Sequence, residues 1–192
     1  MLTFEPPLPA GLQVAWLPYH PGEPAEPAVR AWLGDWLAIP PEAVVLSRDG
    51  RGRPRLDHAA LDVNWSHSGD GMLVACGPGL RVGIDVERLH PRPRALDLAR
   101  RFFALPEQAW LAAQPAEARD AGFLRLWCAK EAVLKAHGHG LSFGLHRLVF
   151  AEVDGTLQLV DTDAALGDAA GWTLREFVPH AGYRAALAWR AV

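Results

Sequence analysis

The segment WCAKEAVLKAHGHGL, residues 127–141, predicts the C-terminal half of a long helix, over about 120–137, that ends at the glycines. At about 100° per residue, such a helix collects its aromatic and branched side chains on one broad apolar face. Lys130 projects into the middle of that face, and Glu131 and Lys135 lie at its edge. An ordinary surface helix carries its charges on the opposite side. These three charges therefore need an explanation.

Two interpretations of the charged face remain open. Glu131 and Lys135 have the spacing of an i,i+4 ion pair on a solvated face, which is worth about 0.2–0.5 kcal/mol. Lys130 does not fit that interpretation, because a charge on a packing face is costly unless partners satisfy it. The alternative is that the helix borders a polar cleft, where anions and a cation meet these side chains.

A second group of charges lies on a predicted strand, RVGIDVERL (81–89). Its alternation puts Asp85 and Glu87 on one face, about 7 Å apart along the strand. Such acids are most often the polar outer face of an edge strand. They also suit Mg²⁺, which binds through one or two carboxylates while substrate phosphates and water complete its shell. In this second interpretation Glu131 joins them across a cleft, and the two lysines of the helix face the phosphates.

The segment NWSHSGDG (64–71) places Ser66, His67 and Ser68 where a strand meets a turn. This segment contains no GxSxG motif, so a serine hydrolase is not indicated. A structural role in the turn is one interpretation. If the turn lies beside the cleft, its hydroxyl, imidazole and backbone N–H groups suit a phosphate.

Composition limits the classes of protein to which the chain can belong. It has 192 residues, half of them apolar, which suffices for a core in one large domain or two small ones. The two cysteines are far apart and form no metal-ligand pattern, so we expect a reducing, cytoplasmic location. No segment resembles a signal peptide or has the apolar length of a membrane helix, so a soluble protein is expected.

The net charge of the chain limits the classes of partner that it can bind. A net charge of −3 argues against a general nucleic-acid binder. Arginines are nevertheless concentrated in SRDGRGRPRL (47–56) and RPRALDLARR (92–101). These clusters either meet phosphates or form solvated turns.

The predicted elements follow the order of a helix and then antiparallel strands, twice over. The first helix is expected at 28–38, followed by strands from 63 onward that suggest an antiparallel meander, and the order recurs after residue 94. We therefore expect an α+β fold of two similar lobes, residues 1–86 and 87–192, each with a helix packed on a small antiparallel sheet. A ligand would bind in the cleft between the lobes.

Several motifs together resemble those of a known family. Their order and spacing are similar to those of 4′-phosphopantetheinyl transferases of the two-lobed, surfactin-synthetase-activating type. The motifs are GRP (52–54), NWSHSGD (64–70), VGIDVE (82–87), RRFFALPE (100–107) and LWCAKEAVLKAHGHGLS (126–142). The signature GIDVE and the helical signature KExxxK are each modest, and their combination is specific.

The resemblance implies an activity and a set of site residues. The activity is transfer of the 4′-phosphopantetheine arm of coenzyme A to a serine hydroxyl of an apo acyl or peptidyl carrier protein, with release of 3′,5′-ADP. The implied ligands of Mg²⁺ or Mn²⁺ are Asp85, Glu87 and Glu131. The implied coenzyme A contacts are Arg53, Ser66, His67, Asp85, Lys130 and Lys135. The implied catalytic residues are Glu131, Lys135 and Asp85, with Glu131 as the base, and Glu107 matches a family acid near the metal.

Two features depart from the pattern of the family. The segment before the first helix lacks the usual basic cluster and has Arg30 as its only full cation. His139 stands between two glycines where relatives often carry Lys or Arg. We therefore expect the nucleotide end of coenzyme A to be held less tightly or differently.

The expected partners are coenzyme A and a carrier protein, with no nucleic acid and no membrane. Carrier proteins tend to be acidic near the modified serine, so nearby arginines are either docking residues or simply solvated. These arginines are Arg88, Arg92, Arg94, Arg100 and Arg101. Two lobes within one chain predict a monomer. Two other functions remain open: a carrier-protein-binding paralogue with little turnover, and another Mg²⁺-dependent phosphotransfer enzyme.

Overall fold

The computed structural model describes residues 2–58 and 60–192, which form ten strands and four helices. The strands are β1 (Gln13–Pro18), β2 (Leu46–Arg48), β3 (Pro54–Leu56), β4 (Leu61–Ser68), β5 (Gly71–Pro78), β6 (Leu80–Arg88), β7 (Leu148–Val153), β8 (Thr156–Thr162), β9 (Thr173–Phe177) and β10 (Tyr183–Ala191). The helices are α1 (Glu26–Leu37), α2 (Ala95–Phe102), α3 (Leu105–Ala113) and α4 (Ala116–His137). The hairpins β2–β3 and β7–β8 are separate two-stranded sheets.

The first half of the chain contains an antiparallel sheet in the order β1-β5-β4. Helix α1 packs on one face of this sheet and buries Val29 and Leu33. Their partners in the same cluster include Val63 of β4 and Met72 and Val74 of β5. These residues form the core of the N-terminal lobe.

The second antiparallel sheet has the order β6-β10-β9, and the long helix α4 packs on its outer face. Small side chains make this contact close, because Ala132 and Ala136 of α4 lie in one cluster with Ala186 and Ala188 of β10. The helix ends at Gly138, whose φ of +92° is the left-handed conformation that glycine adopts without strain. The predicted end of the helix is thus confirmed.

The inner faces of the two sheets pack on each other. Leu73 of β5 lies in one cluster with Ile84 of β6 and Leu187 of β10, and this cluster joins the sheets. The layers therefore follow the order α1, first sheet, second sheet, α4. Because Ile84 points toward the first sheet, its neighbours Gly83 and Asp85 face α4.

The α+β fold, with helices on small antiparallel sheets, is confirmed. The predicted meander is wrong, because β6 pairs with β10 instead of continuing the β4–β5 hairpin. The chain changes sheets at Gly79, whose φ of +61° permits the sharp reversal. This change of sheet precedes the lobe boundary predicted between residues 86 and 87, which falls within β6.

The contact between β6 and α4 depends on Gly83. A Cβ at this position would lie 2.0 Å from the carbonyl oxygen of Ala132 and 2.4 Å from the backbone nitrogen of Ala136. We expect Gly83→Ala to lower the free energy of unfolding by at least about 3 kcal/mol, measured by urea denaturation. Gly50→Ala is the control, because a Cβ there meets nothing within 4 Å. Equal losses of stability in the two variants would contradict this role of Gly83.

Candidate active site

Strands β4 and β6 lie side by side, and side chains of β4 bond to the edge of β6 that does not pair with β10. Asp62 accepts the N–H of Val82 at 2.7 Å, and Asn64 accepts the N–H of Ile84 at 3.0 Å. Ser68 Oγ accepts the N–H of Arg88 at 3.1 Å. We call this contact, made by Asp62, Asn64, Ser66 and Ser68, the seam. It fixes the position of β6, and with it the two acids that the sequence places on one face of this strand.

Asp85 accepts two side-chain hydrogen bonds at the seam. Its Oδ1 accepts Ser66 Oγ at 2.9 Å and Lys135 Nζ at 2.7 Å. Lys135 Nζ also donates to Ser66 Oγ at 2.9 Å, so the three side chains form a closed triangle. The other carboxylate oxygen of Asp85 is buried, and no described group bonds to it. One oxygen of this carboxylate is therefore a buried acceptor without a hydrogen-bond partner, as a cation ligand would be.

Glu131 approaches the same place from α4. Only 7% of this residue is exposed. Burial, and next the negative charge of Asp85, raise the pKa of Glu131 to about 7, against the opposing charge of Lys135. This carboxyl group is thus poised to exchange a proton, or to bind a cation, near neutral pH.

Glu87 lies one step further along β6 and is engaged by neighbours. Its carboxylate accepts Ser68 Oγ at 3.2 Å and Arg92 Nη2 at 3.0 Å. Burial, and next the charge of Asp85, raise the pKa of Glu87, whereas Arg92 lowers it. Arg92 thus bonds to a carboxylate oxygen of Glu87 that is predicted to bind a metal.

The three predicted metal ligands fit a divalent cation in their chemistry. The bare oxygen of Asp85 and the buried Glu131 are hard oxygen donors, and their mutual repulsion is what Mg²⁺ would relieve. Among the described residues, however, no three His, Cys, Asp or Glu side chains are close enough together to hold a metal as they stand. The metal site stays a prediction, with Asp85 and Glu131 as its best-supported ligands.

Lys130 lies on the apolar face of α4, as the helical repeat predicts, and its partners there come from other elements. Its side chain is fully buried in the C-terminal lobe, with Nζ 2.7 Å from Glu107 Oε1. It also donates to the carbonyl oxygens of Leu145 and Leu148. All three protons of the ammonium group are thus used inside the protein. Lys130 is not among the residues that line the cleft beside Lys135, and a contact between Lys130 and a coenzyme A phosphate stays a prediction.

Glu107 has a structural role at the start of α3. Besides Lys130, it accepts the N–H of Ala104 at 2.9 Å and the N–H of Phe150 at 2.9 Å. Burial raises the pKa of Glu107, and Lys130 opposes this shift. The side chain joins α3, α4 and β7 within the core, and the place of Glu107 near a metal stays a prediction.

The guanidinium group of Arg53 likewise forms its hydrogen bonds within the protein. Only 6% of the residue is exposed, and its guanidinium forms a bidentate ion pair with Asp62 of the seam. The remaining N–H groups donate to the carbonyls of Lys135, Pro54 and Val82. Every donor of this side chain is thus used within the protein, although Arg53 lines the cleft described below, and its contact with coenzyme A stays a prediction. Arg53 instead ties the β2–β3 hairpin to the seam and to the end of α4.

Ser66 and His67 point to opposite faces of β4. Ser66 belongs to the triangle with Asp85 and Lys135. His67 is exposed on the side of α1, where its ring stacks on Tyr19 with centroids 4.1 Å apart. Burial, and next the charge of Lys135, lower the pKa of His67, so the two groups are electrostatically coupled. A contact between His67 and coenzyme A stays a prediction.

A cleft opens beside Lys135, between the β2–β3 hairpin and the end of α4. Its volume is about 210 Å³. The lining residues are Arg48, Arg51, Gly52, Arg53, Pro54, Asn64, Trp65, Lys135, Gly138 and Gly140. The lining contains four cationic side chains and no carboxylate, so the cleft suits an anionic ligand.

Sequence motifs did not identify Arg48, Arg51 or Trp65 as lining residues. The sequence signal for the two arginines was the arginine cluster at 47–56. Only the GRP part of that cluster, residues 52–54, belongs to the family motifs. Arg48 lies over the ring of Trp65, 5.3 Å from its centroid, and donates to Glu26 at 3.0 Å. These residues form the outer wall of the cleft.

The arginines suggested for carrier docking have varied surroundings. Arg92 pairs with Glu87, Arg100 pairs with Asp97 one turn away, and Arg101 lies over the ring of Phe102. Their role in docking stays a prediction.

Comparison with known proteins identifies the family. The sequence model of the 4′-phosphopantetheinyl transferase superfamily matches residues 81–188. The 4′-phosphopantetheinyl transferase psf-1 of Bacillus pumilus is 35% identical over 143 residues, which cover 72% of this chain and 60% of the relative. The 4′-phosphopantetheinyl transferase HetI of a Nostoc species is 34% identical over 165 residues, covering 83% of this chain and 66% of the relative. The crystal structure of Thermotoga maritima holo-[acyl-carrier-protein] synthase is 23% identical, with a TM-score of 0.46, and the match covers 57% of this chain and 62% of that one.

The matched segment is more than half of the chain and includes Asp85, Glu131 and Lys135. The chain therefore belongs to the 4′-phosphopantetheinyl transferase superfamily. It spans 60% and 66% of the lengths of the two curated relatives. Within the described residues, no helix is both long and apolar enough to cross a membrane.

The buried Lys130–Glu107 pair yields a prediction about stability. Lys130→Met leaves Glu107 as a buried, unpaired charge, so we expect the free energy of unfolding to fall by about 3–5 kcal/mol. The double variant with Glu107→Gln removes both charges, and we expect it to regain part of that loss. Urea denaturation measures both effects. Unchanged stability with weakened coenzyme A binding would instead support a phosphate contact for Lys130.

Chemical labelling distinguishes the two lysines directly. Lys130 and Lys135 are the only lysines in the chain, and Lys135 keeps 26% of its side chain exposed whereas Lys130 keeps none. We expect an amine-reactive reagent to modify Lys135 in the folded protein and to spare Lys130 until the protein is unfolded. Peptide mass spectrometry reads out both sites. Rapid labelling of Lys130 in the native state would contradict its burial.

Proposed function

We propose that the protein transfers the 4′-phosphopantetheine arm of coenzyme A to a serine hydroxyl of an apo acyl or peptidyl carrier protein, in a Mg²⁺-dependent reaction that releases 3′,5′-ADP. One observation carries the proposal. The ammonium group of Lys135, fixed by Asp85 and Ser66, stands beside the buried Glu131 at the edge of a cationic cleft. This arrangement brings a phosphate-binding cation and a candidate base to one place.

The cleft accounts for the binding of coenzyme A. Its pyrophosphate carries the charge closest to the scissile bond, and Lys135 is the cation closest to the carboxylates. With the pyrophosphate at Lys135, the nucleotide extends into the cleft toward Gly138 and Gly140. The phosphopantetheine arm then extends the other way, toward Glu131 and the incoming carrier.

The chemistry is a phosphoryl transfer. The serine oxygen forms a bond to the β-phosphorus, the bond from that phosphorus to the bridging oxygen breaks, and 3′,5′-ADP leaves. Such reactions depend mainly on alignment and on neutralising charge, which Lys135 provides at the pyrophosphate. A bound Mg²⁺, held by Asp85 and Glu131 with Glu87, would neutralise further charge on the pyrophosphate.

Glu131 is the proposed base. Without a metal, the pKa of Glu131 is raised to about 7, and such a carboxyl group takes up a proton more readily than an ordinary carboxylate. The serine proton passes to Glu131 as the oxygen attacks.

The remaining partners follow from this activity. Both lobes that border the cleft belong to one chain, so we propose that it acts as a monomer. Coenzyme A and carrier proteins are cytoplasmic molecules, so we propose a cytoplasmic location.

The direct test incubates the protein with an apo carrier protein, coenzyme A and Mg²⁺, and then measures the mass of the carrier. A gain of one phosphopantetheine supports the transferase. Binding of the carrier without a mass gain would indicate a binding paralogue. Breakdown of coenzyme A without a mass gain would indicate a different phosphotransfer enzyme.

The role of Glu131 predicts a selective loss. We expect Glu131→Gln to lower the rate of transfer at least about 100-fold, because the serine proton loses its acceptor, while coenzyme A binding stays largely intact. Mass spectrometry of the carrier measures transfer, and calorimetry measures binding. Glu117→Gln, in the exposed first turn of the same helix, is the matched control. Transfer by Glu131→Gln within a few-fold of the wild type would overturn the assignment.

A further inference from the structure

We propose that Arg51 binds the 3′-phosphate on the ribose of coenzyme A and thereby selects coenzyme A over its dephospho form. The inference rests on the proposed function, and it adds a residue that lies outside the matching motifs. Arg51 lines the cleft, at the tip of the β2–β3 hairpin.

The backbone around Arg51 is held in place before any ligand binds. The carboxylate of Asp49 accepts the N–H of Arg51 at 2.9 Å and that of Arg53 at 3.0 Å. The N–H of Gly52 donates to the carbonyl of Asp49 at 2.9 Å. The buried side chain of Arg53 anchors the same turn to Asp62. A fixed turn lowers the entropic cost of placing a cation against a ligand.

Among the described cations of the cleft, Arg51 is the one whose charged group is least committed. The guanidinium of Arg53 and the ammonium of Lys135 are bonded to Asp62 and Asp85, respectively. Arg48 is bonded to Glu26 and to the carbonyl of Gly52. No described residue forms an ion pair or a hydrogen bond with the exposed side chain of Arg51. Its full charge and its planar donors are therefore available to a phosphate.

The position of Arg51 fits the ribose phosphate rather than the pyrophosphate. The pyrophosphate lies at Lys135, next to the carboxylates, and Gly138 is about 5 Å further along the helix. Coenzyme A carries one further phosphate beyond this point, on the ribose. Arg51 lines the cleft together with Gly138 and Gly140 of the turn after α4. In agreement with this position, its charge contributes to lowering the pKa of both His137 and His139, behind the larger effect of burial.

The two histidines do not supply this charge themselves. Their rings stack with centroids 4.3 Å apart, and their Nδ1 atoms face each other at 2.5 Å, so at most one proton fits between them. With lowered pKa values, the pair is mostly neutral at pH 7. Among the residues that line the cleft, Arg51 is the exposed permanent cation whose charge acts on both histidines.

The test compares coenzyme A with 3′-dephospho-coenzyme A. We expect Arg51→Ala to raise the Kd for coenzyme A about tenfold by calorimetry, the loss of a charge-assisted contact. For the dephospho form we expect the variant and the wild type to agree within about twofold. Arg55→Ala is the matched control, since this exposed arginine of the same hairpin does not line the cleft. We expect Arg51→Lys to lie between the wild type and Arg51→Ala, because it keeps the charge but not the planar fork.

Each outcome separates this inference from the proposed function. Equal losses for both nucleotides, or no loss for either, would overturn the role of Arg51 while transfer by the wild type upholds the function. If the wild type binds coenzyme A but favours the dephospho form, the selectivity is wrong. If the wild type neither binds coenzyme A nor modifies a carrier, the proposed function itself fails.

Discussion

The bonds from side chains of β4 to the free edge of β6 are the interaction on which the rest of the structure depends. An edge strand leaves every second N–H group unpaired, and on β6 these groups are met by Asp62, Asn64 and Ser68. The same alternation aims Ser66 at Asp85. The alternating side chains of β4 therefore satisfy the edge of β6 and also position Asp85. A change in this contact between the lobes would alter both stability and the geometry of the site.

Local periodicity predicts much of this structure. The end of α4 at Gly138 and the shared face of Asp85 and Glu87 follow from the repeat of a helix and of a strand. Periodicity gives the direction of a side chain but not what covers it. Lys130 lies on the apolar face, as the helical repeat requires, and Glu107 from another helix neutralises it there. That partner is 23 positions away, and no rule of spacing connects the two residues.

The cationic side chains that the motifs or the cleft single out differ in how far the protein itself already pairs their charge. Arg53 and Lys130 are bonded wholly within the protein, and Lys135 is shared between the protein and the cleft. A motif identifies residue types but does not distinguish a cation that supports the fold from one that meets a substrate. For this reason the resemblance assigned ligand contacts to two buried cations, Arg53 and Lys130, whereas Arg51, outside the motifs, lies exposed at the cleft.

The close contact at Gly83 has a consequence for how such a chain can change over evolutionary time. The spacing between α4 and β6 is set by two backbones in contact, with no side chain between them. The backbone contact at Gly83 therefore helps to set the distance between Glu131 on α4 and Asp85 on β6. A side chain at position 83 would force the two backbones apart and change this distance. The packing of α4 on β6 and the geometry of the proposed site therefore both depend on the absence of a side chain at position 83.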